Sequence, residues 1–337
     1  MNKIYRMKVH GMGLVVAALF IVTGYLMVPS AAAKNPHFTT NNFTTIDFPN
    51  AGLTIANAVN KSGDIVGVYR LRTATGGLAA PRGFLQSNGQ FYTIHVPGAA
   101  LTRSFGINDA GDIVGDYLLG GVNYGFLLPA GSGSFQTIRY RERFFSSPST
   151  DSWGIDNDGN VTGGFVDVFG NTKAYVWRNG VFTRVLEAPF QGTTVTYTHG
   201  MNAKGEIVGC YWLGTVPFQG TMHSLRILPD GTYVTENFPD SMGMSMHWRI
   251  SDSSFIVGHY MDMDNMTHGY LFKNGEFETI DYPDAALTQA RGIAEIEDFS
   301  SRDPRLWSRE LLITGFYIDT SGATHGYLFR RRTNIFE

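Results

Sequence analysis

Phe91-Tyr-Thr-Ile-His-Val-Pro97, Ser104-Phe-Gly-Ile-Asn108-Asp-Ala-Gly111-Asp-Ile-Val-Gly115-Asp-Tyr117 and Tyr124-Gly-Phe-Leu127 are three segments of one repeat. The first recurs at Phe43–Pro49, Phe135–Tyr140, Phe182–Pro189, Tyr233–Pro239 and Phe277–Pro283. The second recurs at Gly63–Gly67, Gly159–Gly163, Gly205–Gly209, Ser254–Gly258 and Leu311–Gly315, and the third at Arg82–Leu85, Lys173–Val176, His223–Arg226, His268–Leu271 and His325–Leu328. The period is roughly 47 residues, which is the length of a propeller blade. Each copy holds four short runs rich in Ile, Val, Thr, Phe and Tyr, separated by turn residues. The runs are apolar on both faces, as strands packed on both sides must be. The spacing predicts an all-β, six-bladed β-propeller with four strands per blade. A β-solenoid would use similar patterning, but its coils take fewer residues.

The order of segments predicts how the ring closes. The chain enters on the outer-strand segment Phe43–Phe48 and leaves on the third segment at His325–Leu328. Phe43–Phe48 is therefore expected to join the C-terminal blade, which leaves no open edge. The turns separate two faces. Asn60-Lys-Ser-Gly63, Asn108-Asp-Ala-Gly111 and Asn202-Ala-Lys-Gly205 are tight, and so are Asn88-Gly89, Asn179-Gly180 and Asn274-Gly275. The longer loops, such as 140–151, 188–198, 239–247 and 261–267, are expected on the opposite face, where binding residues usually sit. The stretch 295–310 enlarges a turn on the tight face.

The F-T-T-I-D, G-I-N-D-x-G-D-I-V-G and H-G-F-L segments resemble the bacterial extracellular HAF-repeat family over residues 43 to 329. The third and fourth copies are degenerate, at Gly159-Asn-Val-Thr-Gly163 and His223-Ser-Leu225. The resemblance implies an exported repeat protein and no reaction.

Lys3, Arg6 and Lys8 precede an apolar run from Met12 to Val28 and then Ala31-Ala32-Ala33. Basic, apolar, then small is the layout of a secretory leader cleaved after Ala33. A retained anchor would use the same run, which is at the short end for spanning. The domain reading is a leader over 1–33, a linker over 34–42, the propeller over 43–331 and a tail over 332–337. No later stretch is apolar and long enough to span a bilayer, so the expected location is secreted or periplasmic. The whole chain carries a net charge of −3, and losing the leader's three basic residues leaves −6. That balance argues against nucleic acid as a partner. The single Cys210 excludes an internal disulfide and reads as a small core residue.

No G-x-S-x-G, H-E-x-x-H, Walker loop or paired C-x-x-C is present. Asp156-Asn-Asp-Gly-Asn160 begins like a calcium loop but lacks the bidentate acid such a loop needs. The residue before the Gly-Ile-Asn position is Phe105, Trp153, His199, Trp248 and Arg291 in successive copies. One scaffold position with divergent side chains reads as a tailored channel-mouth pocket, suited to a sugar ring or a carboxylated glycan. The same side chains could equally plug the channel. Asp116, Asp151, Asp167, Glu187, Asp262, Asp264 and Asp319 are acids available near the mouth. Met242, Met244, Met246 and His247 form one cluster, and Met261, Met263, Met266 and His268 another. Thioether with imidazole is a ligand set that Cu(I) prefers, and adaptable loop packing is the other account of it. Function is therefore expected to be a non-catalytic exported binding or interaction module on the long-loop face, for a glycan or another exported protein. Its alternatives are a carbohydrate-active enzyme at the channel mouth and a copper-binding protein, with no other cofactor expected.

Overall fold

The computed structural model describes residues 26–27, 42–142, 144–301, 303 and 307–334. The leader over 1–33 and the linker over 34–42 lie outside the described residues, apart from 26–27 and 42. The described chain is all β, and no helix in it is long and apolar enough to cross a membrane.

The strands pair in successive antiparallel meanders. The first is Ala51–Val59, Ile65–Leu71, Arg82–Ser87 and Gln90–Ile94. The second is Leu101–Ile107, Ile113–Leu119, Val122–Leu128 and Gln136–Ile138. The third runs Thr150–Ile155, Val161–Val166, Thr172–Arg178 and Val181–Leu186, and the fourth Thr193–Met201, Ile207–Leu213, Thr221–Ile227 and Tyr233–Thr235. The fifth is Ser245–Ile250, Ile256–Met261, Thr267–Lys273 and Glu276–Ile280. The sixth is Leu287–Asp298, Ser308–Ile318 and Thr324–Asn334, and its fourth strand is Phe43–Ile46, with Phe43 opposite Phe329. Parallel bridges join neighbours at Asn123 and Ser149, Thr172 and Val195, and Met222 and Met244. A further bridge from Thr324 to Leu53 joins the sixth meander to the first.

The first strand of every meander carries a β-bulge, in the first five about three residues before the tight turn, for example between Ser104 and Gly106 and between Ser152 and Gly154. The extra residue is left out of the ladder and its side chain is re-aimed. The partner strand must then come close, which explains the repeated glycine after Ile-Val. A Cβ on Gly115 would sit 1.9 Å from the Arg103 carbonyl oxygen and 2.8 Å from the Phe126 ring. Any side chain there would force the strands apart.

Neighbouring meanders are clamped by aromatic stacks drawn from the repeat itself. Phe48 stacks on Tyr69 at 3.6 Å, Phe238 on Tyr260 at 3.5 Å and Tyr282 on Tyr317 at 3.6 Å, with ring planes nearly parallel. The residue that opens the H-G-F-L segment covers the far side, as His268 does on Tyr260 and His325 on Tyr317, each at 5.1 Å. Thr of the F-x-T-I-D segment meets the tyrosine hydroxyl, as at Tyr69 and Thr93, 2.8 Å apart. Such stacks stabilise by about 0.5–1.5 kcal/mol each beyond the area they bury. On the other side the tight turns latch in sequence. Asn60 Nδ2 donates to the Asn108 carbonyl and Asn108 Nδ2 to that of Asp156, both at 3.2 Å. Asn202 Nδ2 donates to the Ser251 carbonyl at 3.1 Å.

Two boundaries differ from the sequence reading. The stretch 295–310 extends a hairpin, because Glu295–Asp298 pairs with Ser308–Leu311. That extension gives the last strand a partner as far as Asn334, beyond the boundary expected at 331.

Candidate functional site

The bulge residues Phe105, Trp153, His199, Trp248 and Arg291 converge at the centre of the meanders. Phe105 and Trp153 rings lie 4.0 Å apart, Trp153 and His199 5.4 Å, and His199 and Trp248 4.6 Å. The Arg291 guanidinium sits 4.5 Å over Trp248 and 4.8 Å over Phe316. The stack is dry. Burial holds His199 and His259 neutral, each pulled down to about 3, with Arg291 adding to the effect. Trp248 Nε1 donates to His259 Nδ1 at 2.9 Å. The sixth member of this ring is Asn57, whose Oδ1 accepts from Arg291 at 3.0 Å. Sequence reasoning passed over Asn57, although Ala56-Asn57-Ala58-Val59-Asn60 aligns with Ser104-Phe105-Gly106-Ile107-Asn108.

One residue further along, five copies place Ala58, Gly106, Gly154, Gly200 or Gly292, and the fifth copy places Arg249. The missing side chains leave room at the axis, and Arg249 fills it. Its Nη1 donates to the carbonyls of His199 and Trp248, and its Nη2 to those of Phe105 and Trp153. No carboxylate is among these partners. Burial, with Arg291 nearby, draws the guanidinium down to about 9, so it stays a cation at neutral pH.

Arg249 is the floor of a cavity of about 470 Å³. Its wall is Ala58, Ile107, Ile155, Met201, Ile250 and Ile293, and its rim is the tight turns at Asn60–Lys61, Asn108–Asp109, Asp156–Asn157 and Ser251–Ser253. The extended hairpin raises one side with Glu295 and Glu297, which Arg309 pairs at 2.9 and 2.8 Å. Lys61 Nζ lies at the mouth, 3.2 Å from Asp109 and 3.5 Å from Asp252 of the fifth meander. The cavity opens on the tight-turn face, opposite to the face the loop lengths pointed to.

On the long-loop side the residues two before the bulge form a second ring, Ile55, Arg103, Asp151, Tyr197, Met246 and Gln289, by register. Beside it Asp116, opposite Arg103 in the second meander, and Asp151 of the third are bridged by one side chain. Arg103 forks onto Asp116, Asn123 Nδ2 reaches both carboxylates, and Tyr197 donates to Asp151 Oδ2 at 3.3 Å. Burial and then the neighbouring Asp116 charge push Asp151 up to about 7. A folded value above the unfolded one means the native state binds the extra proton. Stability on this account falls as pH rises from about 4 through about 7. Asp151→Asn should flatten that fall and leave the variant more stable than wild type at about pH 8 by about 1–3 kcal/mol. Denaturant melts at two pH values measure this, and a steeper fall in the variant would contradict the raised Asp151 value.

The other acids are dispersed. Asp167 and Glu187 pair with Lys173 at 3.6 and 3.0 Å, and Asp319 lies 3.5 Å from His325. Asp264 is exposed in the hairpin 261–267. The two methionine runs are brought together by backbone bonds, Met242 N to Met261 O and Met261 N to Met244 O, both 2.9 Å. Met242, Met263 and Met266 are exposed, and Met244, Met246 and Met261 are half-buried. The imidazoles are engaged elsewhere. His247 is fully buried, 2.7 Å from the Tyr270 hydroxyl and 3.4 Å from Glu236, and His268 is clasped by Asp281 at 2.7 Å and Asp262 at 3.1 Å. Among the described residues no group of three or more His, Cys, Asp or Glu is placed to hold a metal. Cys210 is buried, and burial raises its thiol far above the usual range.

No family model and no curated protein matches the chain. Among solved structures it is similar to the β-propeller domain of the Trilobed protease from Pyrococcus furiosus. That match has 8% identity, covers 84% of this chain and 96% of that one, and has a TM-score of 0.45. It is similar to a subtype N11 neuraminidase-like protein of A/flat-faced bat/Peru/033/2010, with 9% identity, 89% and 95% covered and a TM-score of 0.43. It is also similar to the fucose-specific lectin from Aleuria aurantia, with 11% identity, 86% and 96% covered and a TM-score of 0.43.

Proposed function

We propose that this chain is an exported, non-catalytic binding module, built as a closed six-bladed β-propeller, that holds a small carboxylated saccharide in the cavity between Lys61 and Arg249. One observation carries the ligand reading: the cavity floor is a guanidinium with carbonyl partners and no carboxylate. A buried cation without a counter-charge favours a ligand that brings one. Lys61, already paired with Asp109 and Asp252, is the other cation that lines the cavity. Asp109 and Asp252 beside it accept from hydroxyls and repel a polyanion, so a single carboxylate with a hydroxylated body suits the site better than a nucleic acid or a polyphosphate. The aromatic stack beneath fills the channel and makes the seat a cup.

The closed ring is supported by the pairing of Phe43–Ile46 with Thr324–Asn334 and by the bridge from Thr324 to Leu53. Export, to the periplasm or the medium, is supported by the basic, apolar, small-residue leader and by the resemblance to extracellular HAF repeats. The long-loop face remains the surface for a macromolecular partner. A second reading, a carbohydrate-active enzyme on that face, is favoured by the Asp116–Asp151 pair. Such an enzyme needs carboxylates with separated roles, whereas these two are tied into one network with Arg103 and Asn123.

A thermal-shift panel of uronate, neutral and amino oligosaccharides tests the ligand. A uronate at about 100 times its dissociation constant should stabilise the protein by about 2.7 kcal/mol, with neutral sugars inert. Stabilisation by neutral sugars alone would contradict the reading.

A further inference from the structure

We propose that the long-loop face is a self-association surface on which a second copy of this chain packs face to face about a two-fold axis. The proposal rests on the closed-ring reading, because that reading sets the order of meanders around the face.

Two observations carry it. The first is apolar exposure. Leu119, Phe144, Phe169, Phe218, Met242 and Met263 are 42 to 106% exposed. All six lie in hairpins or connections on this face: 119–122, 166–171, 214–220 and 261–267 for the hairpins, 139–149 and 237–244 for the connections. Scattered apolar side chains on a surface are ordinary, but a set gathered on one face marks an interaction site.

The second is the sorting of charge. Arg72 and Arg82 in the first meander, with Arg139 and Arg141 after the second, form a basic arc in which Glu142 is the exposed carboxylate among the described residues, Asp116 and Asp151 being buried beneath it. The segments 239–245, 261–267, 281–286 and 318–324 of the opposite side carry Asp240, Asp262, Asp264, Asp281, Asp284 and Asp319, and no Lys or Arg. The half-buried His268 and His325 on that side are each already held by two carboxylates.

A face that is basic on one side, acidic on the other and apolar between is self-complementary. A two-fold contact must bring each patch to the patch that answers it. With the axis between the third and fourth meanders, the first meander meets the sixth, the second the fifth and the third the fourth. Arg72 then faces the partner's Asp319 and Arg141 the partner's Asp240. Leu119 faces the partner's Met263, and Phe169 the partner's Phe218. Every charged contact is made twice by symmetry, and the methionines adapt to the facing rings. An anionic bilayer would meet the acidic arc and be repelled along half of the face.

Sedimentation velocity on the full exported protein tests the proposal. Wild type should sediment as a dimer that weakens with salt. Arg141→Glu alone and Asp240→Arg alone should each weaken the dimer by about tenfold or more, because like charges then meet twice. The double variant should regain most of the affinity, since each new glutamate meets a new arginine. Phe169→Asp should give monomers. A monomeric wild type, single reversals without effect, or a double variant weaker than either single would each overturn the two-fold pairing. Monomers that float with phosphatidylglycerol vesicles would assign the face to lipid instead. Failure of the ring reading would show separately, as a melt indifferent to loss of residues 42–46.

Discussion

Arg249→Ala is expected to destabilise the protein by about 2–4 kcal/mol while leaving its strand content intact. The balance is between two large terms. Taking a guanidinium into a partly closed cavity costs several kcal/mol, more so with Arg291 close by. Against this stand four hydrogen bonds from a charged donor to carbonyls of three other strands and its own, at about 1.5–3 kcal/mol each. The bonds win, because the carbonyls would otherwise face a cavity with few donors. Water can replace part of the loss, which is why the expected cost is below the sum. Arg249→Lys should recover only a fraction, since one ammonium cannot fork to both sides of the axis. Urea denaturation at neutral pH measures all three proteins. An alanine variant as stable as wild type would mean that the guanidinium is held at the axis for the ligand alone.

Loss of residues 42–46 is expected to cost about 5 kcal/mol or more, a large part of the stability of any single domain. Phe43 and Ile46 are 8 and 6% exposed, and burying such side chains contributes about 1.5–3 kcal/mol apiece. Four ladder positions opposite Gly326–Phe329 go with them. So do the contacts of Phe43 with Tyr282, Tyr327 and Phe329, at 4.8 to 5.4 Å. The strand Thr324–Asn334 would become an open edge next to exposed aromatic rings, which is a template for aggregation. Melting and size-exclusion chromatography of the truncated protein should show early unfolding and soluble aggregates. An unchanged melt would contradict the proposed closure.

The repeat made the strands and turns legible, because that chemistry is local. Asn88-Gly89 takes positive φ at both residues, as a two-residue hairpin requires. The pairing partner of Phe43 was also readable, since the order of segments leaves a strand without a neighbour at each end. The bulges were not readable from pattern alone. The glycine after Ile-Val suggested close approach, but that it stands against a bulge that turns Phe105 or Trp153 inward needs the paired strand. The site was legible in part. The variable ring position was found, with Asn57 missed because the first copy reads Ala-Asn-Ala-Val-Asn. Arg249 carried a signal, a large cation at a position otherwise held by glycine or alanine, but its meaning lies in carbonyls 50, 96 and 144 residues away. Loop length pointed to one face, and the cavity opens on the other because the tight turns latch into a rim. His247 and His268 looked alike in sequence. One lies inside a buried network and the other between two carboxylates, a difference set by strand alternation and by neighbours from other segments.

Calorimetric titration of a uronate oligosaccharide into wild type and Lys61→Ala tests the central claim most directly. Lys61 is half exposed at the rim, so its removal leaves the fold intact. Wild type should bind with one site per chain, and Lys61→Ala should bind about tenfold more weakly, the loss of one charge-assisted contact. Equal affinities in the two proteins, or no heat with any carboxylated sugar, would contradict a ligand held between Lys61 and Arg249.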